Sequence, residues 1–568
     1  MASLYKKTIN GKPYWYLREM ARVEGKPKMV AERYLGSAAD IAALLDEREE
    51  AVVPQRTRHL AFGDVAAVWT FARRLGVIET IDEVVGARRS DATASVGTYL
   101  MLAALNRLVA PCSKLGFADW WKSTAADRFT RIPTSVLDHR RFWDAMHAID
   151  LDDLTVIEKH LAARMVEEFG VDISALALDM TNFATYIDTG NDKAAIAQRG
   201  KAKQKRTDLR LVGLGLVVTR DGGIPLVSHA YPGNRPDVTQ FATMIDLLVA
   251  RHAAVAEHTG APAASQITVV FDAGQNSTAN FTHLDRSGLA YVGSVPPSDC
   301  GDLLALPATD RAIVDAERFG GLTALHTRRA SYGRERRTIL THSPTLHAAQ
   351  TRGFDQTIAK AEAKLADLAD TLARGKTRRG RDHVTAEITR VLADPWLRRV
   401  IDWNLAGDTA AEHRLSWHIN HSARRDLETE IFGKRVLITG RDDWTIADVV
   451  AAYRSQSDAE FAFRQLKDPH AVSFSPMHHW TDHNIRVHLF TCVLALQLAH
   501  LMRRHAHKAS LNMSVRELLN HLAGIQETVL IYPSTGGRPK ARRMLTETTT
   551  TQDQLIDIFR LDQTAPKT

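Results

Sequence analysis

Two apolar, strand-like segments each carry an aspartate whose position suits metal chemistry. Asp179 follows the run Leu176-Ala-Leu, and Asp272 ends the run Ile267-Thr-Val-Val-Phe. Much further along the chain, Glu460 lies in a helix-like segment. Carboxylate oxygens suit Mg²⁺ or Mn²⁺, and two such ions about 3.5–4 Å apart can clamp the attacking and leaving oxygens of a phosphodiester. The three acids therefore predict a two-metal site for phosphoryl transfer.

The segment around Glu460 predicts a helix with one functional face. Thr445 followed by Asp448 resembles a capping box, which favours a helix start at this point. Tyr453, Glu460 and Lys467 are spaced by seven residues, so they share a face if one helix continues through them. On that face the carboxylate could hold a metal while the phenol and the ammonium contact DNA phosphates. The spacing alone also fits an ordinary surface helix.

The elements that must position these acids follow a recognisable order. Three predicted strands are followed by a helix, a strand, a connection and a last strand, and the turn Asp221-Gly222-Gly223 indicates a hairpin between the second and third strands. This order resembles that of the ribonuclease-H-like α/β fold, whose metal-binding acids lie on the first and fourth strands. The predicted elements are strands 175–183, 210–218 and 224–231, helix 237–258, and strands 267–272 and 289–295.

Charge and length narrow the class of partner. The chain has 568 residues, a formal net charge of +7 and a pI near 9.2. Its length requires several structural units, and its basic balance favours a polyanion such as DNA. Residues 1–36 are predicted to form strands with a basic, aromatic β-hairpin around Asn10-Gly11. Such a hairpin could contact DNA, or it could be an ordinary small sheet with solvated lysines.

The cysteine positions and the hydropathy argue against a disulfide-linked, a zinc-binding or a membrane-spanning protein. Cys112, Cys300 and Cys492 are isolated, so neither a disulfide framework nor a Cys-x-x-Cys zinc site is available, and a reducing cytoplasm is expected. The apolar stretch 487–502 is interrupted by polar residues and shorter than a membrane span, so a buried helix and no membrane contact are predicted.

A group of histidines near residue 480 could suggest zinc, but its spacing does not fit one helix face. Phosphate contact or helix capping is the expected role. The residues are His478, His479, His483 and His488.

The chain is expected to contain six regions. Residues 1–60 form a basic β-rich segment that contacts DNA, and 61–170 a helical region for DNA binding or dimerisation. Residues 171–300 form the first part of the core, followed by an inserted domain of strands and a helical hairpin at 301–440. Residues 441–510 complete the core with the glutamate helix, and 511–568 form a helical, basic tail.

Taken together, these motifs resemble the DDE transposases of bacterial insertion sequences whose glutamate helix reads Tyr-x2-Arg-x3-Glu-x6-Lys. Here the pattern departs at Gln456, where Arg is usual, and at Ala273, where those relatives have a basic residue. The resemblance spans about residues 4–510. Its other motifs are Asp179-Met-Thr-Asn-Phe183, Arg206-Thr-Asp-Leu209, Val212-Gly-Leu-Gly-Leu-Val-Val218, Pro232-Gly-Asn234 and Pro476-Met-His-His-Trp480.

The resemblance implies roles for particular residues. Asp179, Asp272 and Glu460 would be the catalytic, metal-binding triad for two Mg²⁺ ions, with Mn²⁺ as a substitute. Tyr453, Gln456 and Lys467 would contact phosphates near the cleaved end. Further cations, in the loop after the first strand and on the glutamate helix, are expected to contact the DNA backbone; they are Lys201, Lys203, Lys205, Arg206 and Arg464.

The expected function is that of a bacterial, cytoplasmic DNA transposase. It would bind the terminal inverted repeats of a mobile element, cleave them by metal-dependent hydrolysis and join the 3′-hydroxyl ends to target DNA. Family logic predicts a homodimer on DNA, because two ends must be held together. Two alternatives remain open: a DNA-binding derivative without turnover, and a stand-alone nuclease of the same fold.

Overall fold

The computed structural model describes residues 2–23, 26–49, 53–86, 94–200, 208–259, 263–374, 379–470, 472–475, 477–533 and 540–567. Its strands are β1 (Ala2–Ile9), β2 (Lys12–Val23), β3 (Lys26–Gly36), β4 (Arg56–Ala61), β5 (Ala175–Thr185), β6 (Gln198–Arg199), β7 (Arg210–Thr219), β8 (Pro225–Pro232), β9 (Thr268–Phe271), β10 (Ala290–Val295), β11 (Ala312–Ile313), β12 (Thr323–Ser331), β13 (Arg334–His342), β14 (Ile401–Ala406), β15 (Arg414–Ile419), β16 (Lys434–Thr439), β17 (Gln526–Ile531) and β18 (Ala541–Leu545).

The helices are α1 (Ala38–Glu49), α2 (Gly63–Leu75), α3 (Val77–Val85), α4 (Val96–Val109), α5 (Phe117–Lys122), α6 (Ala126–Thr130), α7 (His139–His147), α8 (Leu151–Phe169), α9 (Phe241–Thr259), α10 (Thr278–Ser287), α11 (Gly301–Leu304), α12 (Pro344–Ala373), α13 (Arg381–Val391), α14 (Pro395–Val400), α15 (His421–Ile431), α16 (Ile446–Arg454), α17 (Ser457–Lys467), α18 (Asp482–Lys508), α19 (Val515–Ala523) and α20 (Thr550–Phe559).

The chain divides into two compact units. The first comprises Met1–Ala66, Lys122–Arg131 and His521–Thr568, and the second comprises Ala67–Trp121 and Ile132–Asn520. The first unit holds two antiparallel sheets, one of β1, β2 and β3 and one in the order β18-β17-β4. The predicted hairpin turn lies between β1 and β2, where Asn10 and Gly11 both have positive φ, the conformation that a two-residue hairpin turn needs.

A buried acid anchors the second of these sheets. Glu527 of β17 is 0% exposed, and its carboxylate accepts hydrogen bonds from Arg128 Nε and Nη2 at 2.8 and 2.6 Å and from Arg543 Nη1. Arg128 also donates to the Thr564 carbonyl at 2.7 Å. One carboxylate therefore fixes two guanidinium groups that come from distant parts of the sequence.

The second unit is built on one mixed sheet, which confirms the α/β class predicted from the sequence. In the described residues the strand order is β11-β12-β13-β16-β10-β9-β5-β7-β6, with β8 also paired to β7. The pairs β5–β9 and β9–β10 are parallel, and the others are antiparallel. β7 is buried along its whole length, as expected for a strand that is covered on both faces.

Residues between β13 and β16 form a module with its own apolar core. Helices α12 to α15 and the hairpin β14–β15 enclose a cluster that includes Phe354, Leu365, Ile388 and Phe432. The helical hairpin predicted within 301–440 is present as α12 and α13, and strands of this region are present as β15 and β16. The strands β12, β13 and β16, however, extend the main sheet beyond β10 rather than forming a separate layer.

Helix α18 is long and apolar enough to cross a membrane by length and composition, but 94% of its apolar window is buried inside the protein. It is a core helix, as the interrupted apolar stretch predicts. It packs against α4, whose residues from Val96 to Leu108 are all buried.

Removal of the Glu527 carboxylate is expected to destabilise the first unit. Glu527→Ala would leave Arg128 and Arg543 without their shared acceptor, and breaking a buried ion pair costs about 3–5 kcal/mol. We expect a value near the low end, about 3 kcal/mol, because both arginines keep part of their surface in solvent. Scanning calorimetry would measure it. Glu547→Ala, at an exposed acid of the same unit, should change stability by less than about 0.5 kcal/mol; equal losses for the two variants would contradict the buried-anchor interpretation.

Candidate active site

Asp179 and Asp272 occupy the same row of the sheet. The parallel pairing of β5 with β9 matches Ala175 to Thr268 and Ala177 to Val270, a constant difference of 93 residues. Asp179 and Asp272 are also 93 residues apart, two positions beyond the last pair. Neighbouring strands are about 4.8 Å apart where they pair, so the two aspartates lie side by side where the ladder ends.

Both side chains point to the same face of the sheet. Alternation places Asp272 on the face of Val270, which packs with Val449 and Val450 of α16. Phe271 points to the other face, where its ring lies 4.9 Å from that of Phe241 on α9. Asp179 shares the face of Ala177, the partner of Val270. The two carboxylates therefore lie on the face that α16 and α17 cover.

Asp272 is held by three donors on one oxygen. Its Oδ1 accepts from the Ala273 backbone N–H at 2.8 Å, from Ser294 Oγ at 3.0 Å and from Tyr453 Oη at 3.3 Å. Burial raises the pKa of the Tyr453 phenol, and the neighbouring Asp272 carboxylate raises it further, so the phenol is protonated and able to donate. The Oδ2 atom accepts no hydrogen bond from the described residues and is free to bind a ligand.

Ser294 is a site residue that sequence reasoning did not identify. The parallel pairing of β10 with β9 matches Gly293 to Phe271, so Ser294 continues the row of Asp272 and Asp179. A lone serine in an apolar strand carries no signal of this contact, because the contact depends on which strand becomes the neighbour of β9.

Lys467 reaches the strand that carries Asp179. Its ammonium donates to Thr181 Oγ1 at 2.8 Å and lies 5.4 Å from the centre of the Phe183 ring. Thr181 is two residues beyond Asp179 and so points to the same face of β5. The cation at the end of α17 is thus directed to the acid-bearing face.

The expectation of a single glutamate helix is wrong. The segment forms two helices, α16 and α17, with a turn at Ser455 and Gln456. Ser455 Oγ donates to the Ala452 carbonyl at 2.6 Å and Ser457 Oγ to the Arg454 carbonyl at 3.0 Å, and such side-chain bonds compete with the backbone pattern of a helix. Tyr453 therefore lies on the first helix, and Glu460 and Lys467 on the second.

The structure does not bring Glu460 together with the two aspartates. Glu460 is exposed in the first turn of α17 and has no hydrogen bond or ion pair to the described residues. Among all the residues that the structure describes, no three His, Cys, Asp or Glu side chains lie close enough together to hold a metal ion. Asp179 and Asp272 by themselves fit Mg²⁺, since they offer hard carboxylate oxygens from one row and one face.

The other predicted contacts fall in different places. Gln456 forms the turn between α16 and α17, and its side chain makes no hydrogen bond to the described residues. Arg464 is exposed, and its guanidinium lies 5.7 Å from the centre of the Phe461 ring. Two other acids near Glu460 are placed differently: Asp468 pairs with Arg516, and burial raises the pKa of Asp458. Lys201, Lys203, Lys205 and Arg206 lie outside the described residues.

The four histidines near residue 480 have different surroundings, and those in the described residues form no group that could hold a metal ion. His478 is exposed, and His479 is buried with its ring 5.3 Å from that of His488. His488 and His483 bond the carbonyls of Phe474 and Ile149 at 2.8 and 2.7 Å. His500, further along α18, bonds the Gly223 carbonyl at 2.6 Å. Burial lowers the pKa of His479 and of His500 to about 3 each, and that of His488 well below its ordinary value. The buried histidines are therefore neutral.

No protein-family model matches the chain, and no curated protein matches it. Among solved structures, it is similar to a piggyBac transposase synaptic complex with hairpin DNA, with a TM-score of 0.37 and 8% sequence identity over 81% of this chain and 79% of that chain. At this level of similarity, function has to be inferred from the residues of this chain.

Because these buried histidines are neutral, we predict that the protein loses folding stability as the pH falls. An unfolded histidine binds a proton below pH about 6.5, whereas His479, His488 and His500 stay neutral to far lower pH. The contribution of each buried histidine to the free energy of unfolding is thus fully present above pH 6.5. It falls as pH drops toward 3, by up to about 1.4 kcal/mol per pH unit for each histidine. Unfolding midpoints of wild type and His500→Gln between pH 7 and 4.5 should show a shallower decline in the variant. His418→Gln, at an exposed histidine, should leave the slope unchanged, and a His500→Gln slope equal to wild type would contradict the assignment.

Proposed function

We propose that this protein is a DNA transposase that cleaves the ends of a mobile element and joins their 3′-hydroxyl groups to target DNA. One observation carries the proposal. Asp179 and Asp272 share a row and a face of the sheet, while Tyr453 donates to Asp272 and Lys467 contacts the strand of Asp179. Tyr453 and Lys467 of the glutamate-helix motif are thus close to the two neighbouring carboxylates, although they are far from them in sequence.

A ribonuclease-H-like core is part of the proposal. The strand order β8-β7-β5-β9-β10, antiparallel as far as β5 and parallel from there on, supports it. So does the placement of the two aspartates on β5 and directly after β9, which are the first and fourth strands of that pattern. The connection from β8 to β9 runs through α9 on the opposite face, where its Phe241 contacts Phe271.

The proposed cofactor is a pair of Mg²⁺ ions, with Asp179 and Asp272 as the principal ligands. Glu460, which lies apart from the two aspartates in this structure, would become the third ligand by approaching them when DNA and the ions bind. Bound there, the ions would neutralise phosphodiester charge and lower the pKa of a bound water. The residues of the chain supply position. Tyr453 and Ser294 fix the Asp272 carboxylate through Oδ1 and leave Oδ2 to the ligand, while Lys467 brings a fixed positive charge to the same face.

The two proposed reactions need no external energy source. In the first, water attacks phosphorus at the element end, one P–O bond forms, and the 3′-oxygen leaves and takes up a proton. In the second, that 3′-hydroxyl attacks a target phosphodiester, so one P–O bond is exchanged for another. Both use in-line displacement at phosphorus and can therefore share a single site. Coordinated joining of two ends supports a homodimer on DNA as the working form.

A DNA-binding derivative without turnover is the second candidate. The separation of Glu460 from the two aspartates favours it, as do Gln456 and Ala273 at positions where the resembling family has cations. On this alternative the basic surface would bind DNA, but Mg²⁺ would not support cleavage.

Substitution of the acids tests the proposal directly. The substrate is a plasmid that carries both ends of the DNA segment encoding the chain, incubated with the protein and Mg²⁺, and products are resolved on denaturing gels. Asp179→Asn, Asp272→Asn and Glu460→Gln should each reduce end nicking by at least about a thousandfold, because the hard oxygen ligands are lost. Asp367→Asn, at an exposed acid of α12, should retain wild-type nicking.

The products separate the candidates. Nicked and joined products support a transposase, and nicked products without joining indicate a nuclease. DNA binding with no cleavage by the wild type supports the derivative without turnover. Cleavage that survives in all three acid variants would show that the acids are assigned wrongly.

Lys467 should matter more for cleavage than for affinity. Lys467→Ala removes one cation among many but takes the charge from the acid-bearing face, so we expect about a hundredfold slower nicking and less than a threefold change in affinity for end DNA. Single-turnover kinetics and fluorescence anisotropy measure the two quantities. Lys360→Ala, an exposed lysine of α12, serves as the control. A variant whose affinity falls as far as its rate would assign Lys467 to general DNA binding instead.

A further inference from the structure

The first unit contains a cavity whose walls are strongly basic. It has a volume of about 670 Å³ and lies between the end of α6, strand β18 and the last described residues of the chain. Five cationic side chains line it, and none of its lining residues in the described part of the chain is acidic. They are Arg128, Arg131, Arg542, Arg543 and Lys567.

Two of these cations are fixed rather than mobile. Arg128 and Arg543 share the buried carboxylate of Glu527, and Arg128 is held further by the Thr564 carbonyl. One carboxylate for two guanidinium groups leaves a net positive charge. Arg543 uses one of its five N–H groups in this contact, so the others remain available to an anion. The ordering of these side chains is thus supplied by the fold rather than by a ligand.

The remaining three cations are uncompensated. Arg131, Arg542 and Lys567 are exposed, and their side chains form no ion pair or hydrogen bond with the described residues. Arg131 follows α6 in a left-handed conformation with a φ of 60°, and Arg542 lies on β18 next to the fixed Arg543. A concave surface with five cations and no acid fits a chain of phosphates, because each phosphate can meet a separate cation.

We propose that this cavity binds the phosphate backbone of duplex DNA, as a contact surface of the first unit that is separate in sequence from the acid-bearing strands. The inference rests on the proposed function for its choice of DNA among polyanions. Arg128 and Arg543 form the fixed floor, and Arg131, Arg542 and Lys567 supply further phosphate contacts. Such contacts carry no base information and set affinity and orientation.

The test compares two triple variants of the full-length protein. Arg131→Ala/Arg542→Ala/Lys567→Ala removes three cations of the cavity and leaves the Glu527 anchor intact. Arg352→Ala/Lys360→Ala/Lys364→Ala removes three exposed cations of α12 that form no ion pair with the described residues, and it makes the same charge change. Anisotropy of a fluorescein-labelled 30-base-pair duplex is measured across a NaCl series, with no divalent cation present.

The cavity variant should bind at least tenfold more weakly at 100 mM NaCl. Its slope of log affinity against log salt should become shallower by about 2–3, because each phosphate contact contributes about 0.9. The α12 variant should stay within twofold of wild type with an unchanged slope. Equal losses in the two variants, or a cavity variant with wild-type affinity and slope, would overturn the proposal.

Failure of this inference can be told apart from failure of the proposed function. If the wild type binds duplex and the cavity variant binds it equally well, the cavity assignment is wrong and the cleavage assay still decides the activity. If the wild type does not bind duplex at any salt concentration used, both are wrong. Circular dichroism and the calorimetric midpoint of the cavity variant should match wild type, since all three substituted side chains are exposed.

Discussion

The register between β5 and β9 is the constraint on which the rest of the site depends. A shift by one residue would turn Asp272 to the opposite face, because side chains alternate along a strand. Both faces of β9 oppose such a shift. Phe271 packs against Phe241 of α9 on one side, and Val270 packs with Val449 of α16 on the other. A slipped strand would lose both contacts at once, so apolar packing fixes the position of a polar pair.

The break between α16 and α17 follows from the same geometry. In one straight helix, Tyr453 and Lys467 would be about 21 Å apart along the axis. Their contacts are much closer together, since Asp272 ends β9 and Thr181 lies on the neighbouring strand two residues beyond the row of Asp272. Two shorter helices joined at Ser455 and Gln456 can each face their own strand. The serine hydroxyls that bond preceding carbonyls make this turn a property of the local sequence.

Local sequence signals predicted the strands of the core well. Strand β7 was expected at 210–218 and runs over Arg210–Thr219, because an apolar run ends at a turn whose Gly222 and Gly223 both have positive φ. Long-range relations were not predictable. The contact of Ser294 with Asp272 can be predicted only if β10 is known to lie beside β9. The burial of Glu527 likewise depends on the position of β17 between β4 and β18, which its local sequence does not indicate. The seven-residue spacing of the signature hid the helix break, since periodicity reports a face only where the helix is continuous.

The inserted module shows how the chain can add about 90 residues without moving the site. The module leaves the sheet at the end of β13 and returns at the start of β16, where His342 pairs with Lys434. Its two ends are therefore neighbours, and its apolar core is its own. β16 then pairs with β10, and α16 begins a few residues after β16 ends, at Ile446. Because β10 lies beside β9, this return places α16 over the end of β9. The contact of Tyr453 with Asp272 is thus set by the pairing of β16 with β10 and of β10 with β9. It does not depend on the size or shape of the module.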